Sequence, residues 1–264
     1  MKSRSTNERR ELEPFVRYVE LKRDRVPSFD EYQFNIPAVK LLERLEFHPQ
    51  VTYFIGENGS GKSTLLEAIA VLEGFNPEGG SRNFDFSTAD SHSHLSNYLL
   101  SAAGSRRVNT SDSYFLRAES FYNVSTEIDR VAKLHKPEKF YRENYGGKSL
   151  HTRSHGESFF TLLTKRFRGN GLSLLDEPES ALSPKRQLGF LTRMHDLLAT
   201  GSQFIIATHS PIILAYLNST IYQFTDRGIE SVRYEDTDQF QITQMFLSRR
   251  EAMLRELLRE PDEE

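Results

Sequence analysis

Apolar and polar positions follow two periods along the chain. A period of two marks "PFVRYVELK" (14–22) and "EYQFNI" (31–36) as half-buried strands. Short apolar runs at 51–55 ("VTYFI"), 113–118 ("SYFLRA"), 171–175 and 203–207 read as buried ones. Apolar spacings of three and four predict helices over 62–74, 94–103, 156–167, 184–198 and 211–217, and an amphipathic helix over 238–259. "TIYQF" (220–224) and "IESVRY" (229–234) read as two further strands. A Gly-, Asn-, Asp- and Ser-rich loop fills 74–93, and short helices with a basic surface fill 125–150. Strands alternating with helices predict an α/β fold: a mainly parallel sheet covered on both faces, with an antiparallel β portion at the N-terminal side.

Length and composition narrow the class. The 264 residues suit one domain spanning 1–264, with a lobe inserted at about 75–153. No apolar run reaches the roughly 18–20 residues of a membrane span, so direct membrane insertion is not expected. The polar start "MKSRSTNERRELEP" has no apolar core of a secretory signal, and cysteine is absent. A cytoplasmic protein without disulfides or thiolate metal sites is expected. The net charge of −3 argues against general polyanion binding but leaves local patches open.

Two stretches carry candidate chemistry. "VTYFIGENGSGKSTLL" (51–66) places Gly56, Glu57, Asn58, Gly59, Ser60, Gly61, Lys62, Ser63 and Thr64 between an apolar strand and a helical run. Glycines let successive backbone N–H groups converge on phosphate oxygens. The lysine supplies a point charge to the β/γ-phosphates, and the Ser63 hydroxyl is a ligand for Mg²⁺. "GLSLLDEPE" (171–179) ends a buried strand on two carboxylates. Burying one unpaired carboxylate costs several kcal/mol, so two in succession call for a cation or a solvated site. The alternative is a plain surface turn at Asp176-Glu177-Pro178. Beside a phosphate loop, Asp176 is expected to hold Mg²⁺, and Glu177 to act as general base toward water.

With these motifs in this order, the chain resembles the ATP-binding-cassette ATPases, in the branch related to SMC and RecF-like proteins, and within it stand-alone bacterial AAA-family ATPases. "SHGES" (154–158) resembles the cassette signature, with Ser154, Gly156 and Glu157 matching and His155 in place of a glycine. "ESALSP" (179–184) resembles the D-loop, with Ser183 where an Asp is common. "IIATHSP" (205–211) resembles the switch strand that ends in the family's histidine, here His209. The resemblance implies ATP and Mg²⁺ as ligands and a homodimer closed around two ATP molecules, each signature facing the partner's γ-phosphate. It also implies a Gln after strand 113–118. Here Glu119 or Ser120 stands there, and Glu119 is the candidate third metal ligand. Tyr32 and Phe34 are candidates to stack on adenine, with core packing as the favoured reading for both. Arg82 is a candidate nucleotide contact, with surface decoration as the alternative.

The inserted segment lacks sustained heptads, which argues against a long coiled coil. Residues 130–153 interleave Lys133, Lys136, Lys139 and Arg142 with Phe140, Tyr141 and Tyr145. That composition suits either a solvated basic face or a nucleic-acid grip. The leading functional expectation is an ATP-hydrolysing switch that controls a partner or nucleic acid. The alternatives are the nucleotide-binding subunit of a membrane transporter and a nucleotide-gated regulator of a defence effector.

Overall fold

The computed structural model describes residues 13–82, 94–104, 112–134 and 137–258. Within them, two sheets account for all ten strands. The larger runs from β10 (Gly228–Val232) and β9 (Thr220–Thr225) through β3 (Val51–Gly56), β8 (Gln203–Ala207), β7 (Leu172–Asp176) and β6 (Tyr114–Arg117) to β4 (Gly80–Ser81). Its five inner strands are parallel, and the two edge strands are antiparallel. The smaller sheet is antiparallel and places β1 (Val16–Leu21) between β2 (Arg44–Glu46) and β5 (Leu99–Ala103). Ten helices complete these residues: α1 (Tyr32–Asn35), α2 (Pro37–Lys40), α3 (Lys62–Leu72), α4 (Phe121–Lys133), α5 (Pro137–Asn144), α6 (His155–Lys165), α7 (Pro184–Ala199), α8 (Pro211–Leu214), α9 (Asp238–Ser248) and α10 (Arg250–Leu257).

The near-continuous apolar strands are explained by burial on both faces. In β3, Phe54 joins a core formed with α2, α3 and the small sheet. Tyr53 and Ile55 join the opposite core with α4, α6 and α7. In β8, Ile205 and Ala207 face the first core, while Phe204 and Ile206 face the second. Each such side chain contributes roughly 1.5–3 kcal/mol relative to exposure, so the strand positions are fixed from two sides. Gln203 fastens the sheets together. Its Oε1 accepts from the amides of Phe15 and Val16, and its Nε2 donates to the carbonyls of Val16 and His48.

Two sequence expectations are corrected. Residues 31–36 form a short helix, not a strand, because Pro37 lacks an N–H for a ladder and starts α2. Phe34 and Ile36 are buried as a period of two requires, but Tyr32 is 85% exposed. Residues 94–103 are not one helix. A 3-10 turn (His94–Tyr98) leads into β5, whose pairing with β1 overrides the helical spacing of Leu95 and Leu99. Among the described residues of 75–153, β4, a 3-10 turn, β5 and β6 precede Phe121, and α4 and α5 follow from it. The expected terminal helix is divided into α9 and α10 at Arg249. Lys136, the N-terminal stretch 1–12 and the terminal "REPDEE" lie outside the described residues.

Candidate active site

Parallel pairing brings three candidate motifs and Glu119 to the carboxyl ends of four adjacent inner strands. Phe54 of β3 lies opposite Ala207 of β8, Ala207 lies opposite Asp176 of β7, and Asp176 lies opposite Arg117 of β6. The phosphate loop, the switch histidine, the carboxylate pair and Glu119 therefore leave neighbouring strands at their carboxyl ends, where open α/β sheets form their ligand sites.

At Gly61, φ is 99°, and a Cβ would come within 2.6 Å of the Ile36 side chain, so glycine alone fits at the start of α3. A cleft of about 530 Å³ opens over this loop. Glu57, Asn58, Gly59, Gly61, Lys62, Ser63 and Thr64 line it from below, and Tyr32, Ile36, Glu119, Glu177 and His209 from the sides. Lys62 is 4% exposed, and its Nζ donates to the carbonyls of Gly56 and Glu57 at 2.7 and 2.9 Å. Burial lowers its pKa, while Glu177, Asp176, Glu57 and Glu179 act in the opposite sense. The buried Ser60 hydroxyl has no hydrogen-bond partner.

Asp176 accepts from the Ser63 hydroxyl at 2.9 Å and is 7% exposed. Burial pushes its carboxyl up to about 6, although the Arg117 charge and the Ser63 hydrogen bond pull it down. Arg117 is the hub that sequence reasoning missed. Its guanidinium reaches Glu67 at 2.6 Å, Asp176 at 3.5 Å and the exposed Glu119 at 3.7 Å. A basic residue at the carboxyl end of a central strand was the only available signal. Ser120 donates to the Glu78 carbonyl instead of facing the cleft, so Glu119 is the residue presented there.

Among the described residues, no group of three or more His, Cys, Asp or Glu side chains could hold a metal. The paired oxygens of Ser63 and Asp176 nevertheless fit Mg²⁺, which takes one or two protein ligands and fills its shell with water and phosphate oxygens. Glu177 has φ 49°, a left-handed conformation that turns it out of β7 at the strand end. Its Oε1 lies 3.7 Å from His209 Nε2, a buried nitrogen without a hydrogen-bond partner. These groups can polarise a water and contact a terminal phosphate, provided both ligands enter the cleft.

The signature residues sit apart from this cleft. Ser154 caps α6: its hydroxyl accepts from the Glu157 amide at 3.4 Å, and Glu157 accepts from the Ser154 amide at 3.1 Å. These hydrogen bonds hold the Glu157 carboxyl below its ordinary value. Gly156 meets the segment after β7, where a Cβ would lie 2.5 Å from the Ala181 carbonyl oxygen. His155 borders a second cleft with Glu119, Asp176 and Glu177.

The remaining candidates separate plainly. Phe34 is core, whereas the exposed Tyr32 lines the main cleft and is the aromatic available to a ligand. Arg82 pairs with Glu73 and lies over the Phe75 ring, outside the lining of that cleft. In the lobe, Tyr145 is buried, Phe140 packs on Tyr141 and Tyr145, and Lys139 pairs with Glu143. Tyr145 therefore belongs to the core, with the partly buried Phe140 and Tyr141 packed against it.

Two family profiles together span the phosphate loop, the carboxylate pair and His209. The profile of the AAA domain family matches residues 35–166. A second profile, whose description pairs an AAA domain with a candidate AbiEii toxin of a type IV toxin–antitoxin system, matches 149–215. The cytochrome c biogenesis ATP-binding export protein CcmA of Rhodopseudomonas palustris is 32% identical over 165 residues, 60% of this chain and 77% of that protein. An uncharacterized ABC transporter ATP-binding protein of Haemophilus influenzae is 25% identical over 201 residues, 69% of this chain and 73% of that protein. Among solved structures, the SMC head domain from Thermotoga maritima aligns with a TM-score of 0.42 at 16% identity, covering 83% of this chain and 99% of that one.

Proposed function

The chain belongs to the ABC-type P-loop ATPases of the AAA-domain family, enzymes that hydrolyse ATP, and from that premise we propose a two-state switch. Two copies close around two Mg-ATP and separate after hydrolysis, and the closed state is read by a partner protein or nucleic acid in the cytoplasm. The observation that carries this reading is the convergence of Lys62, Ser63, Asp176, Glu177 and His209 beyond the carboxyl ends of β3, β7 and β8, around the cleft over the phosphate loop and the second cleft beside it.

Each residue then has a distinct task. The backbone from Gly56 to Thr64 cradles the phosphates, and Lys62 exchanges its two carbonyl partners for β/γ-phosphate oxygens. Ser63 and Asp176 would hold Mg²⁺, with Glu119 a further candidate ligand lining the same two clefts, and the metal would supply charge neutralisation on the phosphates. Glu177 takes the proton of the attacking water, and His209 Nε2 donates to the γ-phosphate. Ser154, Gly156 and Glu157 present the N-terminus of α6 to the partner's nucleotide across the dimer. Tyr32 stacks on the adenine.

Glu177→Gln tests the switch. The amide keeps the size of the side chain but cannot take the proton, so hydrolysis should fall about 10²–10⁴-fold. Lys62, Ser63 and Asp176 remain, so nucleotide should still bind and the variant should collect as an ATP-bound dimer. Light scattering after size exclusion, with and without Mg-ATP, measures this. A variant that stays monomeric in saturating ATP while hydrolysing normally refutes the assignment. A second reading, the nucleotide-binding subunit of a transporter, is favoured by the similarity to an ABC transporter ATP-binding protein of Haemophilus influenzae and an ATP-binding export protein of Rhodopseudomonas palustris. Co-purification with a membrane-spanning partner from detergent-solubilised membranes would select it.

A further inference from the structure

We propose that Glu179 is the positioning residue for His209, a carboxylate that ties the turn after β7 to the end of β8. Glu179 lies half-buried in the short 3-10 turn Pro178–Ala181. Its Oε2 accepts from the Thr208 hydroxyl at 2.8 Å, and its Oε1 accepts from the His209 amide at 2.5 Å. β8 ends at Ala207, so the His209 amide lies beyond the strand, and the carboxylate takes the place of a ladder partner. Both oxygens are engaged on consecutive residues, which fixes the backbone from which the imidazole projects.

The choice of residue carries the argument. Asp176 and Glu177 already crowd these strand ends with negative charge, and a third carboxylate adds to their repulsion. A carboxylate is nevertheless the one side chain that accepts on both oxygens and donates on neither, so it holds two donors in a single arrangement. The outcome is an imidazole whose Nε2 stands 3.7 Å from Glu177 Oε1 without a hydrogen-bond partner, free to donate to a phosphate oxygen. Ser210 fastens the far side of the same segment. Its hydroxyl donates to Gln187 of α7 at 2.6 Å, and the Thr208 amide donates to the Phe54 carbonyl of β3 at 3.1 Å, which leaves the His209 amide to Glu179. Because Glu179 belongs to the segment that also contains Glu177, any shift of that turn is carried directly to His209.

This deepens the proposed function and rests on reading His209 as a γ-phosphate ligand. The first measurement needs no nucleotide: hydrogen exchange in the full-length chain, read on the peptide containing Thr208, His209 and Ser210. Glu179→Ala should speed exchange of the His209 amide by about ten- to hundred-fold, the loss of one hydrogen bond to a charged acceptor. Glu179→Gln, which keeps one carbonyl acceptor in place of two carboxylate oxygens, should fall between the alanine variant and wild type. Steady-state kinetics on the same proteins should show kcat lowered by Glu179→Ala with KM for ATP nearly unchanged, and Gln restoring part of the rate. In the double variant with His209→Ala, the second change should cost nothing further. Unchanged exchange in Glu179→Ala, or losses that multiply with those of His209→Ala, overturn the positioning role. A normal rate in His209→Ala overturns the γ-phosphate reading instead, and the exchange result then stands by itself. Matching thermal melts exclude general unfolding as the cause.

Discussion

Lys62, at the start of α3, and Asp176, at the end of β7, are 4% and 7% exposed; Lys62 is bonded to the carbonyls of Gly56 and Glu57, and Asp176 to the Ser63 hydroxyl. Ser154, His155 and Glu157 form the exposed start of α6, whose later turns are buried, and the first and last of them bond to each other. The first region has its geometry imposed by a sheet with two cores. The second is held by a capping box at the surface, in a helix that packs on α7. A residue that must fix a metal gains from a rigid, low-dielectric support. One that must meet a second chain has to remain exposed until that chain arrives. That contrast is what the proposed composite site, shared between two copies, would require.

Removing the centre of the buried half should have the largest effect. Lys62→Ala loses a charge-assisted contact worth about 1.5–3 kcal/mol or more, which weakens ATP binding by about ten- to hundred-fold or more. Isothermal calorimetry reads this directly, and an unchanged affinity would remove the phosphate loop from the site. The same variant tests the exposed half. Ser154→Arg should bind ATP and hydrolyse it poorly, because the bulky charge blocks approach of the partner's phosphates. Mixed with Lys62→Ala, it should regain part of one composite site, since both lesions then fall in the other. No recovery at any ratio, with heterodimers demonstrated by light scattering, argues against sites shared between chains.

The same division governed what could be read from sequence. The parallel sheet, the phosphate loop and the Asp176-Glu177 pair were legible because buried strands read as apolar runs and the motifs interrupt them at fixed points. Residues 31–36 and 94–103 were misread because local periodicity cannot register a proline that blocks a ladder or a strand partner about 80 residues away. Arg117 and Glu179 escaped for a related reason. Each acts through contacts made across strands, Arg117 to Glu67 and Asp176, Glu179 to Thr208 and His209. A single sequence lists such residues without the register that makes them neighbours.

Tyr32 gives a smaller effect. It lines the cleft yet is 85% exposed, and stacking on a base contributes about 1–3 kcal/mol in comparable sites. With one face open to water, the lower end applies, so Tyr32→Ala should weaken ATP binding about five-fold. Inorganic tripolyphosphate has no base to stack and should bind both proteins equally. An equal loss for both ligands would show that the ring supports the loop and not the adenine.

The smallest effect falls on stability at the exposed half. Ser154→Ala removes the acceptor for the Glu157 amide, and cap losses of this kind cost about 0.5–2 kcal/mol. The 3.4 Å separation and the exposure of both residues put Ser154 at the bottom of that range, so the melting temperature should fall by only about 1–2 °C. The Glu157 carboxylate still accepts from the residue 154 amide, which keeps the first turn of α6 in place. Hydrolysis should respond differently. If the hydroxyl also donates to the partner's γ-phosphate, the rate falls about ten-fold or more, far beyond what the loss of a weak cap produces. Calorimetry and an ATPase assay on one preparation compare the two. A melting shift matched by an unchanged rate would make Ser154 a cap and nothing more, and would leave the N-terminus of α6 to meet the second chain through its backbone alone.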